Sequence, residues 1–143
     1  MDYLKVLVEE IHSVVVATVD ETGHPHTAVM DMMWEDGKTV YFLTADFKPL
    51  YKRLKEDGRV AVTGMTQGAG TMDRKSISLT GQVEWIGKEH LEELLKANPY
   101  MYEIYPTEEG RSHLQVFRFK NAVGNFYYLT QLPPYQARFE IEG

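Results

Sequence analysis

The stretch Thr39-Val40-Tyr41-Phe42-Leu43-Thr44-Ala45-Asp46-Phe47-Lys48-Pro49-Leu50-Tyr51-Lys52-Arg53-Leu54 carries two periodicities in one run. Thr39 to Thr44 is β-branched and aromatic, the composition of a strand. Phe47, Leu50, Tyr51 and Leu54 then repeat at helical spacing. Pro49 fits a helix only in its first turn, where a missing N–H costs nothing. The helix therefore starts near Lys48, and Gly58 sits where a C-terminal cap belongs. A strand feeding a helix start presents unpaired N–H groups and a partial positive charge, which suits an anion such as a phosphate. Lys48 adds a full charge at that end and Thr44 a hydroxyl one turn earlier. A lysine there opposes the helix dipole, and a local rule broken without benefit to folding points to function. Asp46 counts against an anion beside it, and its expected place is a helix cap outside the pocket.

On the N-terminal side, Leu4, Leu7, Val8 and Ile11 form the stripe of a short amphipathic helix. Val14 to Val19 is a β-branched run closed by the turn Asp20-Glu21-Thr22-Gly23. Thr27 to Trp34 reads as the next strand, and Glu35-Asp36-Gly37-Lys38 as a hairpin turn leading back into Thr39. On the C-terminal side, Arg59 to Thr63 is a strand, Gly64 to Asp73 a loop, and Ser76 to Trp85 alternates apolar and polar residues. Lys88 to Ala97 is a third helix stopped by Asn98-Pro99, and Tyr100 to Ile104 one further helical turn. Leu114 to Lys120 and Val123 to Leu129 read as two last strands, and Pro133-Pro134 rule out a central strand in the tail. About six or seven short strands with three short helices predict a mainly β fold, an antiparallel closed or nearly closed barrel, in one domain over 1–143.

Composition narrows the function classes. The formal charge is −6 with scattered basic residues, so nucleic acid is an unexpected partner. There is no cysteine, which excludes disulfides, thiolate metal sites and cysteine nucleophiles. Glu9, Glu10 and His12 break the N-terminal segment, and no stretch is long and apolar enough to span a bilayer, so the expected location is cytoplasmic. Gly64 to Gly70 is glycine-rich but has neither the dinucleotide nor the Walker spacing. His24 and His26 could begin a metal site, but no third ligand presents itself, and no metal is expected. No Ser-His-Asp order or paired-carboxylate spacing stands out, so a hydrolase is not supported.

The strings His24-Pro25-His26-Thr27-Ala28-Val29-Met30 and Tyr41 to Leu54, with the order of elements, resemble the pyridoxamine 5′-phosphate oxidase-like FMN-binding split-barrel family. The likeness is to its small single-domain branch, which includes nitroimidazole-resistance-type flavoproteins. Thr44, Lys48, Tyr51 and Leu54 match that branch's pattern, and Arg59-Val60-Ala61-Val62 and Ser78-Leu79-Thr80-Gly81-Gln82-Val83 look like its counterparts. The resemblance implies a homodimer with FMN at the subunit interface. Backbone around Val29, Met30 and Asp31 would lie along the isoalloxazine edge, Thr44 and Lys48 would hold the phosphate, and Tyr51 would belong to the cofactor site. Further pocket residues would come from the partner, with Phe126-Tyr127-Tyr128 as candidates. The oxidases carry an arginine at the start of the second strand, where this chain has His26 and Thr27, and a C-terminal Trp/Arg motif that is missing here. These departures point away from the oxidase reaction and leave flavin binding. The implied activity is electron transfer from a nicotinamide, NAD(P)H, to a small organic substrate; the alternative is a protein that stores or senses flavin, or carries haem, without turnover.

Overall fold

A computed structural model describes residues 1–68 and 70–142. Helix α1 (Tyr3–Lys5) is capped by Asp2, whose carboxylate accepts from the Lys5 N–H at 3.2 Å. It runs directly into a π-helical stretch, Val6–Ile11. The wider winding lets Val6, Leu7 and Ile11 all reach the core. His12 ends it at φ 63°, its N–H donating to the Leu7 carbonyl at 2.8 Å.

The strands are β1 (Ser13–Val19), β2 (Pro25–Asp31), β3 (Trp34–Glu35), β4 (Val40–Ala45), β5 (Arg59–Met65), β6 (Lys75–Gly87), β7 (Leu114–Tyr128) and β8 (Tyr135–Glu142). They form one antiparallel sheet in the order β2-β1-β5-β6-β7-β4-β3, with β8 on the far half of β7. The sheet curls into a half-barrel, consistent with the split barrel that the family resemblance implies. Its inner face holds the main core, including Val14, Val16, Phe42, Val62, Leu79, Phe117 and Phe126. A second cluster lies outside β4 and β7, where Tyr41, Leu43, Leu114 and Val116 meet Leu94, Leu95 and Met101. These come from α3 (Leu91–Ala97) and α4 (Met101–Ile104). Because β4 is covered on both faces, all six of its residues are buried.

Helix α2 (Pro49–Glu56) starts with proline and ends at Asp57, followed by Gly58 at φ 77°. Gly58 meets both needs of that position: a positive φ, and room for the Val83 carbonyl, which an added Cβ would meet at 2.8 Å.

Several elements differ from the sequence pattern. The expected strand Thr27 to Trp34 is divided into β2 and β3. Met32 and Met33 are both buried, and a period of two cannot bury consecutive side chains on one face. The Met32 N–H instead donates to His12 and that of Met33 to Tyr41, which carries the chain across the barrel end. The two expected final strands are one, β7. A register shift pairs Gln82 with Asn121 and Val83 with Phe119, so Lys120 is the extra residue of a bulge rather than a break. Strand β8 follows the two prolines, outside the expected elements, and among the described residues it bonds only to β7. A short helix α5 (Glu108–Arg111) was also unanticipated; Thr107 caps it by accepting from the Gly110 N–H at 3.0 Å. In the expected loop, β5 extends to Met65, a 3-10 turn occupies Thr71–Asp73, and Ala69 lies outside the described residues. No helix among the described residues is long and apolar enough to cross a membrane.

Candidate functional site

Strand β2 lies at one end of the strand order and, among the described residues, bonds only to β1. Its other backbone edge has no strand partner among the described residues. Opposite that edge stand the end of β4 and the first turns of α2, which leaves a cleft of about 340 Å³. Ala28, Val29 and Met30 form one wall, Leu43 and Thr44 the floor, and Lys48, Pro49, Leu50 and Arg53 the other wall. Strand order thus opens the barrel at the point where a helix start arrives.

The helical wall is built to receive negative charge. Lys48 is the N-cap residue, with extended backbone (φ −89°, ψ 142°), and no side chain caps this helix end. The positive end of the helix therefore lies at the cleft unsatisfied by a protein carboxylate. Lys48 is exposed, and the ion pair made by α2 at this end belongs to Lys52, whose Nζ is 3.9 Å from Glu21 Oε2. Arg53 is half-buried and fixed by one contact, its Nε donating to Thr18 Oγ1 at 2.7 Å. That contact uses only Nε, so the rest of the guanidinium remains for the cleft. Thr44 is buried at the floor.

Of the residues singled out from sequence, the cleft brings together Val29, Met30, Thr44 and Lys48. Asp31 and Tyr51 do not line it. The Asp31 carboxylate accepts from Ser13 Oγ and from the Tyr100 hydroxyl, both at 2.7 Å, with His12 Nε2 at 3.6 Å. Burial first, and then the Asp31 carboxylate, hold the Tyr100 proton well above the ordinary phenol range, so Tyr100 is a firm donor. The Asp31 side chain is therefore held in a polar cluster and is not among the residues that line the cleft. Tyr51 packs edge-on against Phe117 and Trp85, at ring separations of 6.0 and 6.4 Å, and so docks α2 on the barrel.

Asp46 does not cap α2. It accepts from His113 Nδ1 at 2.9 Å and Gln115 Nε2 at 3.3 Å, and His113 chiefly holds its carboxyl below the usual range. Its carboxylate is turned to His113 and Gln115, and Asp46 is not among the residues that line the cleft. Phe126 is wholly buried in the core, and only Tyr127 of the three aromatics is exposed on the outer face to the extent of 39%. His26 Nε2 is 2.8 Å from Asp20 Oδ2, and His24 Nδ1 is 2.8 Å from Thr22 Oγ1. Among the described residues no three His, Asp or Glu side chains are grouped as a metal site. Arg53 was overlooked in the sequence, although its i, i+4 spacing from Pro49 places both on one helix face.

An antiparallel split barrel with a cation-walled cleft at its open seam defines the class of protein. The chain belongs to the pyridoxamine 5′-phosphate oxidase family, whose profile matches residues 2–128. Among solved structures it is similar to a NimC/NimA family protein from Clostridium acetobutylicum, with a TM-score of 0.74 and 21% identity over 97% of this chain and 87% of that one. It also resembles a heme binding protein from Mycobacterium smegmatis, with a TM-score of 0.72 and 13% identity over 95% of this chain and 56% of that one. An F420 reductase gives a TM-score of 0.62 and 20% identity over 80% of this chain and 90% of that one. At these identities the likeness is one of fold. No curated protein matches the sequence.

Proposed function

We propose that this chain is an FMN-binding flavoprotein acting as an oxidoreductase, moving electrons from a nicotinamide to a small organic acceptor. The observation that carries this is the meeting, in one cleft, of an unpaired strand edge with Lys48 and Arg53. Members of the family typically bind flavin nucleotides. The cleft residues fit FMN in kind: backbone N–H and C=O groups along β2 suit the hydrogen-bonding edge of a heterocycle, Val29, Met30, Leu43 and Leu50 suit its rings, and the two cations suit a phosphomonoester. When bound, FMN supplies the hydride and electron chemistry. The protein's own part is to orient the ring along β2, neutralise the phosphate, and keep water from the apolar wall. Haem is less well served, because an axial ligand is needed and no histidine lines the cleft among the described residues.

The test is direct. The purified or FMN-reconstituted protein should show bound flavin absorbance, and anaerobic NADH or NADPH should bleach it. Absence of bound flavin sinks the proposal. A yellow protein that neither nicotinamide reduces would be the storage or sensing alternative.

A homodimer belongs to the same proposal. Register places Val29, Val15, Thr63, Ser78 and Asn125 in one row across five strands, on the outer face. Val29 is 75% exposed there and Val15 40%, with Met65, Val123 and Tyr127 exposed beside them. Such a row of apolar and small residues suits a second copy of the sheet. Val29 also lines the cleft, so a partner on this face would cover its open side. Val15→Glu should convert the dimer to monomer in sedimentation velocity and weaken FMN binding by about tenfold, through loss of that cover. An unchanged sedimentation coefficient would remove this face from the interface.

A further inference from the structure

A separate cavity of about 460 Å³ lies between the π-helical turn, β3 and the end of α3, and shares no residue with the flavin cleft. Its charge is of the opposite kind. No lysine or arginine lines it, whereas two carboxylates do, Glu9 and Glu35. Neither carboxylate makes an ion pair among the described residues. We propose that this cavity binds an aliphatic di- or polyamine, with its ammonium groups on the polar wall and its methylenes on the apolar one.

Asn98 supplies an observation independent of the carboxylates. It is only 4% exposed, yet it lines this cavity. Its Nδ2 donates to the Leu94 carbonyl at 2.8 Å and to the Met33 carbonyl at 2.9 Å, and two carbonyl partners fix which end of the amide is nitrogen. Oδ1 accepts no hydrogen bond among the described residues, and it is not sealed away from the cavity. A deeply set acceptor with nothing to accept from calls for a ligand that carries N–H donors. Ala97, the last residue of α3, brings the negative end of that helix to the same wall. His12 does not compete with a cation through a free N–H. Its Nδ1 is 3.0 Å from the Val8 carbonyl and its Nε2 2.8 Å from the Tyr100 hydroxyl. The acceptors are also dispersed. Among the described residues no three His, Asp or Glu side chains are grouped for a metal, so a single ion would not reach them together. A chain with an ammonium at each end would. Between the polar groups lie Val8, Met33 and the half-buried Trp34, whose ring is held by Tyr41 at 4.9 Å and His90 at 5.1 Å. These suit methylenes, and the indole face attracts an ammonium.

The chain has two tryptophans, so in the full-length Trp85→Phe variant Trp34 is the sole indole reporter. Titration with putrescine or spermidine at low ionic strength should change Trp34 emission saturably, and magnesium chloride at the same concentrations should not. Glu9→Gln and Glu35→Gln should each raise the spermidine dissociation constant by about fivefold or more, and the double variant by about twentyfold or more. Glutamine at position 35 keeps an oxygen for the Gly37 N–H, which Glu35 Oε2 accepts at 2.7 Å, so the turn is retained. Isothermal titration calorimetry on the unsubstituted chain checks that the Trp85 change is silent. No saturable response to either amine up to about 10 mM overturns the proposal. So does unaltered affinity in the double variant, or an equal response to magnesium, which would be a general effect of the −6 net charge.

Discussion

Replacing Lys48 with alanine should raise the FMN dissociation constant by roughly ten- to a hundredfold, the worth of one charge-assisted hydrogen bond to phosphate. The stability of the ligand-free protein should not fall. Lys48 is exposed, makes no capping hydrogen bond, and sits at the helix end where a cation is unfavourable. Fluorescence titration for binding and urea denaturation for stability separate the two effects. Lys48→Arg should retain most of the affinity by keeping the charge. Equal affinity in wild type and Lys48→Ala would take Lys48 out of the site. Arg53→Ala is a poorer probe, since it also cuts the contact to buried Thr18 and would lower stability along with binding.

The largest effect on stability should come from Gly81→Val. A Cβ at Gly81 would meet Ala122 Cα at 2.6 Å and Ala122 Cβ at 2.8 Å, and would strike the Asn121 carbonyl oxygen. Those atoms are backbone and near-backbone of β7, directly beside the bulge where the register shifts, so no flexible side chain can yield. Parting β6 from β7 there would open the two strands that share the most of the sheet. A loss of about 3–5 kcal/mol is expected, in the range reserved for overpacking that the backbone must absorb. The midpoint of guanidinium denaturation reads it. A loss below about 1 kcal/mol would mean that the strands are not so closely approached.

Much of the fold was legible because its signals are local. The β-branched run of β1, the turn at Asp36-Gly37, and Pro49 and Gly58 bracketing α2 each specify their element within a few residues. What failed was tertiary. The division of Thr27 to Trp34 depends on hydrogen bonds to His12 and Tyr41, and the continuity of β7 depends on the bulge opposite β6. The prolines before β8 are compatible with a strand because that strand needs only one bonded edge. The site divided in the same way. Thr44 and Lys48 stood out through a strand-to-helix junction that breaks a dipole rule. The hydrogen bond from Tyr100 to the Asp31 carboxylate spans 69 residues, and no spacing reveals it. Arg53 looked like any solvated helix cation until Thr18 was seen to hold it.

The bare edge of β2 has a consequence for handling the protein. An unpaired strand edge is a template for pairing with another chain, and proteins ordinarily blunt it with charge, proline or a covering element. Here Pro25 opens the strand, but the central Ala28, Val29 and Met30 carry no such protection. A flavin seated along that edge would serve as the missing neighbour. Cells starved of riboflavin should then yield less of this protein in the supernatant and more in inclusion bodies. The ligand would act as a solubility partner before it acts in any reaction.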